Sequence, residues 1–433
     1  MKAIIEPGNI HGTINCPPSK SMTQRAYAAA LLRHGRTIIK NAGSSEDERA
    51  ALEIIQQLGA RVISTVDVAH FGCVPHLVEI ESNGVHPIAD TILCGESGLS
   101  ARLFAPIAAL SKQAIKIDGT GSLLRRPMTG IEEVFAQLNV SLTGFNGYIP
   151  FTIKGPIVPT AIKMDAGDSS QLLSGLLFAL SSCATEPVTI EVANLNSKPY
   201  IDLTIDVLKY FGRNITHNNY KEFYIDPATF TNLENVKINI EGDWSSAAYL
   251  LVAGAIAGEV TIKNLDAASK QADVAILTVL KDAGATVAIH GDGVTVRREA
   301  LRAFEFDATQ CPDLFPVLSI LAACCEGESY IAGVHRLFYK ESNRAESISE
   351  MLQNFDVPFS ISDDTLCITG VKKLQGTVID SFNDHRMAMA ATIGALRAGG
   401  QVDILHAQVV NKSYPGFWGD LILCGGKCTF VEH

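Results

Sequence analysis

The chain has 433 residues, 47% of them hydrophobic and 19% charged, with a formal net charge of −11. That length suits two or three packed domains, and that composition excludes a disordered chain. The acidic balance argues against general binding to nucleic acid or to an anionic membrane.

Met1-Lys2-Ala3-Ile4-Ile5 reads as the start of a strand, not as a secretory or transit segment. Next comes Pro17-Pro18-Ser19-Lys20-Ser21-Met22-Thr23-Gln24-Arg25, running into an alanine-rich apolar stretch. Two prolines stop the preceding segment, a serine caps, and the alanines favour helix. Lys20 and Arg25 then fall in the first turns of a buried helix, where positive partial charge already accumulates. An anion held among free N–H donors, a hydroxyl and two cations resolves that conflict.

Laid against itself, the chain shows six apolar helices: Ala26–Leu32, Ala101–Leu110, Leu172–Cys183, Ala247–Ala257, Leu314–Cys325 and Met387–Leu396. A strand-like segment follows each, and usually a second, amphipathic helix, as at Glu48–Leu58, Asp202–Phe211, Asp273–Ala283 and Ala345–Phe355. The period, roughly 70–80 residues, fits a repeated small α/β unit. Polar residues precede every apolar helix: Ser19-Lys20-Ser21, Gly95-Glu96-Ser97-Gly98, Asp168-Ser169-Ser170-Gln171, Gly242-Asp243-Trp244-Ser245-Ser246, Cys311-Pro312-Asp313 and Asn383-Asp384-His385-Arg386. All are capping-type starts. If the units pack symmetrically, these ends converge with Lys20, Arg25, Arg102, Arg126 and Arg386 into an anion-attracting site.

Further along, Lys340 and Arg344 are spaced to share a helix face, with Glu341 turned aside. The longest apolar stretches are too short and interrupted to span a bilayer. The ten cysteines are scattered and read as reduced buried thiols. Cys424, Cys428 and His433 are too loosely spaced, without a fourth ligand, for a metal site. A cytoplasmic protein is expected.

The motifs resemble those of the 3-phosphoshikimate 1-carboxyvinyltransferase (EPSP synthase) family nearly end to end. They are Ser19-Lys20-Ser21 with Arg25, Arg126-Pro127, Ser169-Ser170-Gln171, Ser197-Lys198-Pro199-Tyr200, Glu241-Gly242-Asp243, Pro312-Asp313, Lys340-Glu341 with Arg344, Asn383-Asp384-His385-Arg386-Met387-Ala388-Met389, and Lys412. The resemblance implies a mixed α/β (α+β) fold: two inside-out α/β barrel domains built from six βαβαββ repeats, three per domain. The expected boundaries are residues 1–18 plus 238–433 for one domain and 19–237 for the other, with the active site in the cleft between them.

The implied reaction moves the enolpyruvyl group of phosphoenolpyruvate to the 5-hydroxyl of shikimate 3-phosphate and releases phosphate, in the shikimate pathway to chorismate and the aromatic amino acids. It needs no metal and no organic cofactor, and a monomer acting on small molecules is expected. By motif, Lys20, Ser21, Arg25, Ser169, Ser170, Gln171, Ser197, Tyr200, Asp313 and Lys340 would hold shikimate 3-phosphate. Lys20, Gly98, Arg126, Gln171, Arg344, Arg386 and Lys412 would surround phosphoenolpyruvate. Asp313 is the expected base, Glu341 the acid, Lys340 and Lys20 lie at the reacting centre, and His385 orients groups or moves protons.

Two stretches depart from the family pattern. Glu96 replaces the common Asn and Leu99 the common Thr in Gly95-Glu96-Ser97-Gly98-Leu99, so Glu96 is expected to turn away or pair with a cation. Phe338 and Asn343 stand where Arg and Asp are common. Two alternatives stand beside this reading. One is an inactive homologue that binds small phosphorylated anions. The other is the sister transferase acting on UDP-N-acetylglucosamine, whose loop cysteine the Gly119–Met128 stretch lacks.

Overall fold

The computed structural model describes residues 1–67 and 76–432. Among these, 24 strands form six four-stranded sheets. One plan serves all six, and the repeat that starts at Thr91 shows it without interruption. Thr91–Leu93 runs parallel to Ala114–Asp118, and the helix Gly98–Ala108 crosses between them. The helix Ile131–Gln137 leads to the hairpin of Ser141–Thr143 and Phe151–Lys154, whose second strand pairs antiparallel with Ala114–Asp118. A parallel pair demands a crossover helix and an antiparallel pair only a turn, so this βαβαββ order closes a sheet with short connections.

Three sheets are completed by strands distant in sequence. Asn235–Asn239 is the parallel partner of His34–Ala42, and Ile10–Asn15 that of Gly258–Lys263. Lys2–Glu6 lies between Val402–Leu405 and Lys427–Val431, antiparallel to both. The described chain accordingly divides into two compact units: Met1–Pro17 with the chain from Glu241 onward, and the chain from Pro18 to Ile240.

Within the Pro18–Ile240 unit, the helices Lys20–Leu32, Gly98–Ala108 and Gln171–Cys183 pack on one another. In the other unit the same is true of Trp244–Ala257, Phe315–Ala323 and His385–Ala395. Every residue of Gly98–Ala108, Phe315–Ala323 and His385–Ala395 is buried, as the apolar runs within them require, and Arg102, His385 and Arg386 are buried with them. Shortening a leucine there to alanine costs about 2–5 kcal/mol.

Several helices begin earlier than their apolar runs. They start at Lys20, Gly98, Trp244 and His385, not at Ala26, Ala101, Ala247 and Met387. The polar first turns are helical because Ser19, Ser97, Asp243 and Asp384 accept hydrogen bonds from first-turn backbone N–H groups that have no partner within the helix. Two expected caps are absent. Ser170 makes no capping hydrogen bond, and the expected start at Leu314 is a 3₁₀ turn, Pro312–Leu314, before the helix Phe315–Ala323. Asp313 lies in that turn with its carboxylate committed to arginines. The expected helix Asp273–Ala283 is likewise a 3₁₀ turn, Ala272–Ala275, followed by Ile276–Asp282. Lys340 precedes the helix Arg344–Asn354 and does not share a helical face with Arg344.

Among the described residues, no helix is long and apolar enough to cross a membrane. No group of three or more His, Cys, Asp or Glu among them could hold a metal ion, and His433 lies outside the described residues.

Candidate active site

In the Pro18–Ile240 unit, a ring of side-chain hydrogen bonds ties the first turns of the core helices together. Gln24 Nε2 donates to Ser97 Oγ at 3.4 Å, joining Lys20–Leu32 to the cap of Gly98–Ala108. Arg102 Nη1 reaches Gln171 Oε1 at 3.3 Å, joining that helix to Gln171–Cys183. Ser174 Oγ and Thr204 Oγ1 lie 2.9 Å apart and bring in Lys198–Tyr210. Arg25 Nε donates to Thr204 Oγ1 at 2.8 Å, which closes the ring.

Arg25 is only 1% exposed. Its other two hydrogen bonds go to carbonyls, those of Ser21 at 2.9 Å and Tyr200 at 3.3 Å. Burial against such neutral partners lowers its guanidinium to about 10. Lys20 Nζ pairs with Asp47 Oδ2 at 2.8 Å. Asp47 lies in the first turn of Glu46–Gln57, whose start is fixed by reciprocal hydrogen bonds between Ser45 and Glu48. The Arg126 guanidinium lies over Gly98, where an added Cβ would come within 2.6 Å of it. Only glycine permits that approach.

Carboxylates dominate the other set, in the unit that contains Glu241 onward. Arg344, fully buried, donates from Nη1 to Asp313 Oδ1 at 2.7 Å, from Nη2 to Glu341 Oε2 at 2.6 Å and from Nε to Asp384 Oδ2 at 2.7 Å. Arg386 Nη2 reaches Asp313 Oδ2 at 2.9 Å, and Lys340 Nζ stands 3.8 Å from Asp313 Oδ1. Asp384 also caps its helix by accepting from the Arg386 N–H at 2.9 Å. Burial opposes a charge on Asp313, but Arg386, Lys340 and Arg344 outweigh it and hold the carboxyl well below its usual range. Burial likewise opposes the Arg344 cation, yet Asp384, Glu341 and Asp313 hold it above its usual value. Lys340 is pushed down to about 8, by burial first and by Arg344 and Arg336, against the pull of Asp313.

Residues 4–421 match the family model described as EPSP synthase (3-phosphoshikimate 1-carboxyvinyltransferase). The chain belongs to the EPSP synthase family. A relative named 3-phosphoshikimate 1-carboxyvinyltransferase, from Clostridium novyi (strain NT), is 34% identical over 98% of this chain and 97% of its own length. One of the same name from Methanocorpusculum labreanum is 33% identical over 97% of this chain and 98% of its own. The fold matches that of an EPSP synthase structure from Acinetobacter baumannii with a TM-score of 0.81 at 24% identity, covering 99% of this chain and 100% of that one. The enolpyruvyl transferase NikO from Streptomyces tendae has a similar fold, with a TM-score of 0.76 at 16% identity, over 99% of this chain and 98% of that one.

Most of the site residues expected from the sequence lie in one or other of these two sets. Ser169 Oγ accepts from the Gln171 N–H at 3.2 Å, and Ser197, at φ 57°, leads into Lys198–Tyr210. Lys412 Nζ donates to the Asn383 carbonyl at 2.8 Å. His385 is buried at the first position of its helix, its Nδ1 4.0 Å from Asp384 Oδ1. Glu96 is occupied by Ser122, not aimed at an open space. Phe338 is about half exposed, and Asn343 makes no side-chain cap.

Sequence reasoning missed Gln24, Asp47, Ser174 and Thr204. Asp47 carried a signal in the Ser45-x-x-Glu48 helix start. The others look like ordinary core or helix-start residues until the tertiary fold pairs them.

Proposed function

We propose that this protein transfers the enolpyruvyl group of phosphoenolpyruvate to the 5-hydroxyl of shikimate 3-phosphate and releases inorganic phosphate, acting as a monomer in the shikimate pathway. Family membership supports the reaction. The observation that carries the assignment of roles is Asp313, a carboxylate clasped by Arg344 and Arg386 beside Lys340.

In the Pro18–Ile240 unit, Lys20, Ser21, Arg25, Ser169, Ser170, Gln171, Ser197 and Tyr200 receive shikimate 3-phosphate. Gly98, Arg126 and Gln171 receive phosphoenolpyruvate. Arg25 suits a phosphate because no carboxylate is among its three hydrogen-bond acceptors, so its charge is left for a bound anion. In the other unit, Arg344, Arg386 and Lys412 take phosphoenolpyruvate, while Asp313 and Lys340 face the hydroxyl.

Between two arginines Asp313 is too weak a base. An incoming phosphate or carboxylate shares the charge of Arg344 and Arg386, and this raises the basicity of Asp313 when substrate is present. The same transfer loosens the hold of Arg344 on Glu341, which then accepts the proton it needs as an acid. The hydroxyl oxygen bonds to C2 of phosphoenolpyruvate as Asp313 takes its proton, and C3 gains a proton from Glu341. Phosphate then leaves C2 and takes the proton held by Asp313, while C3 returns a proton to Glu341, which restores the double bond and returns both side chains to their starting forms. Lys340, poised at about 8, stabilises developing negative charge.

The test is phosphate release from phosphoenolpyruvate by the purified protein, with shikimate 3-phosphate, with UDP-N-acetylglucosamine, or alone. Release that depends on shikimate 3-phosphate is expected. Silence with both acceptors from protein that still binds shikimate 3-phosphate would move the assignment to an inactive anion-binding homologue.

A further inference from the structure

Glu96 sits two residues before Gly98, and its carboxylate bears on a different segment of chain. Its Oε2 accepts from both the backbone N–H and the Oγ of Ser122, each at 2.8 Å. Ser122 lies in the 3₁₀ turn Gly121–Arg125, which delivers Arg126. Gly121, at φ 56°, makes room for this contact: a Cβ there would stand 2.3 Å from the Glu96 carboxyl carbon. The backbone repeats the tie, since the Thr120 N–H donates to the Gly95 carbonyl at 2.8 Å. The far end of the turn is closed by the Arg126 N–H on the Leu123 carbonyl at 3.1 Å. Its Arg126 side chain returns to lie over Gly98, the first residue of a helix whose start Ser97 caps. The Glu96 carboxylate and the backbone tie thus join the turn that leads into Arg126 to the segment that leads into the helix at Gly98.

We propose that Glu96 is a positioning residue, a clamp that holds the turn Gly121–Arg125 so that Arg126 and Gly98 form one preorganised subsite for phosphoenolpyruvate. The proposal rests on the assignment of Arg126 and Gly98 to that substrate. The charge on Glu96 and its role as a clamp predict opposite signs. As a bare charge near an anion subsite it repels the substrate, and removing it tightens binding. As a clamp, removing it frees the turn, spreads Arg126 over many positions and weakens binding.

Steady-state kinetics of Glu96→Ala, with each substrate varied in turn, separates these. The clamp predicts a KM for phosphoenolpyruvate about 10-fold higher, with kcat and the KM for shikimate 3-phosphate held within about twofold. Glu96→Gln keeps an acceptor oxygen without the charge and should fall between, at about 2–3-fold. Hydrogen exchange gives a readout independent of activity: in Glu96→Ala the Ser122 and Arg126 amides should exchange faster while Lys20–Leu32 stays unchanged. A KM for phosphoenolpyruvate that falls or stays level overturns the clamp. So does equal weakening of both substrates, or unchanged exchange in the turn. A wild-type protein without turnover overturns the proposed reaction instead, and exchange then decides the clamp alone.

Discussion

The two sets of site residues solve the problem of buried charge in opposite ways. Around Arg25 the partners are a hydroxyl and two carbonyls, and burial brings its guanidinium down to about 10. Around Arg344 stand three carboxylates, and they hold it above its usual value despite complete burial. A cation without a counter-charge costs several kcal/mol to bury and gains most from an anion supplied from outside. A cation already neutralised has little to gain from a further anion unless its carboxylates take other partners. The first arrangement suits capture of a substrate phosphate; the second suits proton transfer that begins when substrate redistributes the pairing.

The comparison is broken first at Asp313. Asp313→Asn and Glu341→Gln should each lower kcat by about 10²–10⁴-fold while shikimate 3-phosphate still binds, measured by single-turnover kinetics and calorimetry. Retained turnover in either removes that residue from its role. Next in size is Arg344→Ala, which takes the shared cation from Asp313, Glu341 and the fully buried Asp384 and should cost about 3–5 kcal/mol in urea unfolding. Arg25→Ala removes a cation that has no such dependants. It should cost distinctly less stability, about 1–2 kcal/mol, yet raise the KM for shikimate 3-phosphate by about 10-fold or more. Equal stability losses for the two arginines would erase the distinction drawn between the sets.

Smaller effects sharpen it. Lys340 should lose its proton as pH rises through about 8, so kcat/KM falls on that limb. Bound anions favour the ammonium, and the limb in kcat should therefore lie at higher pH. Asp273 is the smallest case. It is buried, Ser245 Oγ donates to its Oδ2, and Oδ1 has no hydrogen-bond partner. Burial first, then the charge of Asp313, pushes its carboxyl up to about 7, against Arg386. With the folded value above the unfolded one, the folded state binds the extra proton between about pH 4 and 7, and stability falls as pH rises across that window. Asp273→Asn should remove this slope and stabilise the protein at pH 8 by about 1–2 kcal/mol, with the gain vanishing below pH 4. Matching pH–stability curves for the two proteins would show that Asp273 keeps an ordinary carboxyl.

The cations and their motifs were legible because they break local rules. Lys20 and Arg25 at the start of an apolar helix, or Asp384-His385-Arg386 abutting one, make no sense as packing. Capping residues were legible for the same reason, and Ser19, Ser97, Asp243 and Asp384 do cap. Asp313 was not distinguishable from a cap by its sequence neighbours, since the competition between a backbone N–H and two arginines is settled in space. Helix extents were legible only to within about two turns, because polar first-turn residues hide the true start. The face shared by Lys340 and Arg344 failed because the helix begins at Arg344.

What the sequence determined by itself is periodic and local: six apolar helices each followed by a strand, and the residue types massed at their starts. Those properties depend on burial and backbone capping, which act over a few residues. What only the tertiary structure decided is pairing over long separations. Asn235–Asn239 beside His34–Ala42, Lys2–Glu6 inside the last sheet, Thr204 on Arg25 and Asp384 on Arg344 are all of this kind. Hydrogen bonds and ion pairs reach only a few ångströms, so which cation meets which carboxylate is fixed by how the sheets and helices stack.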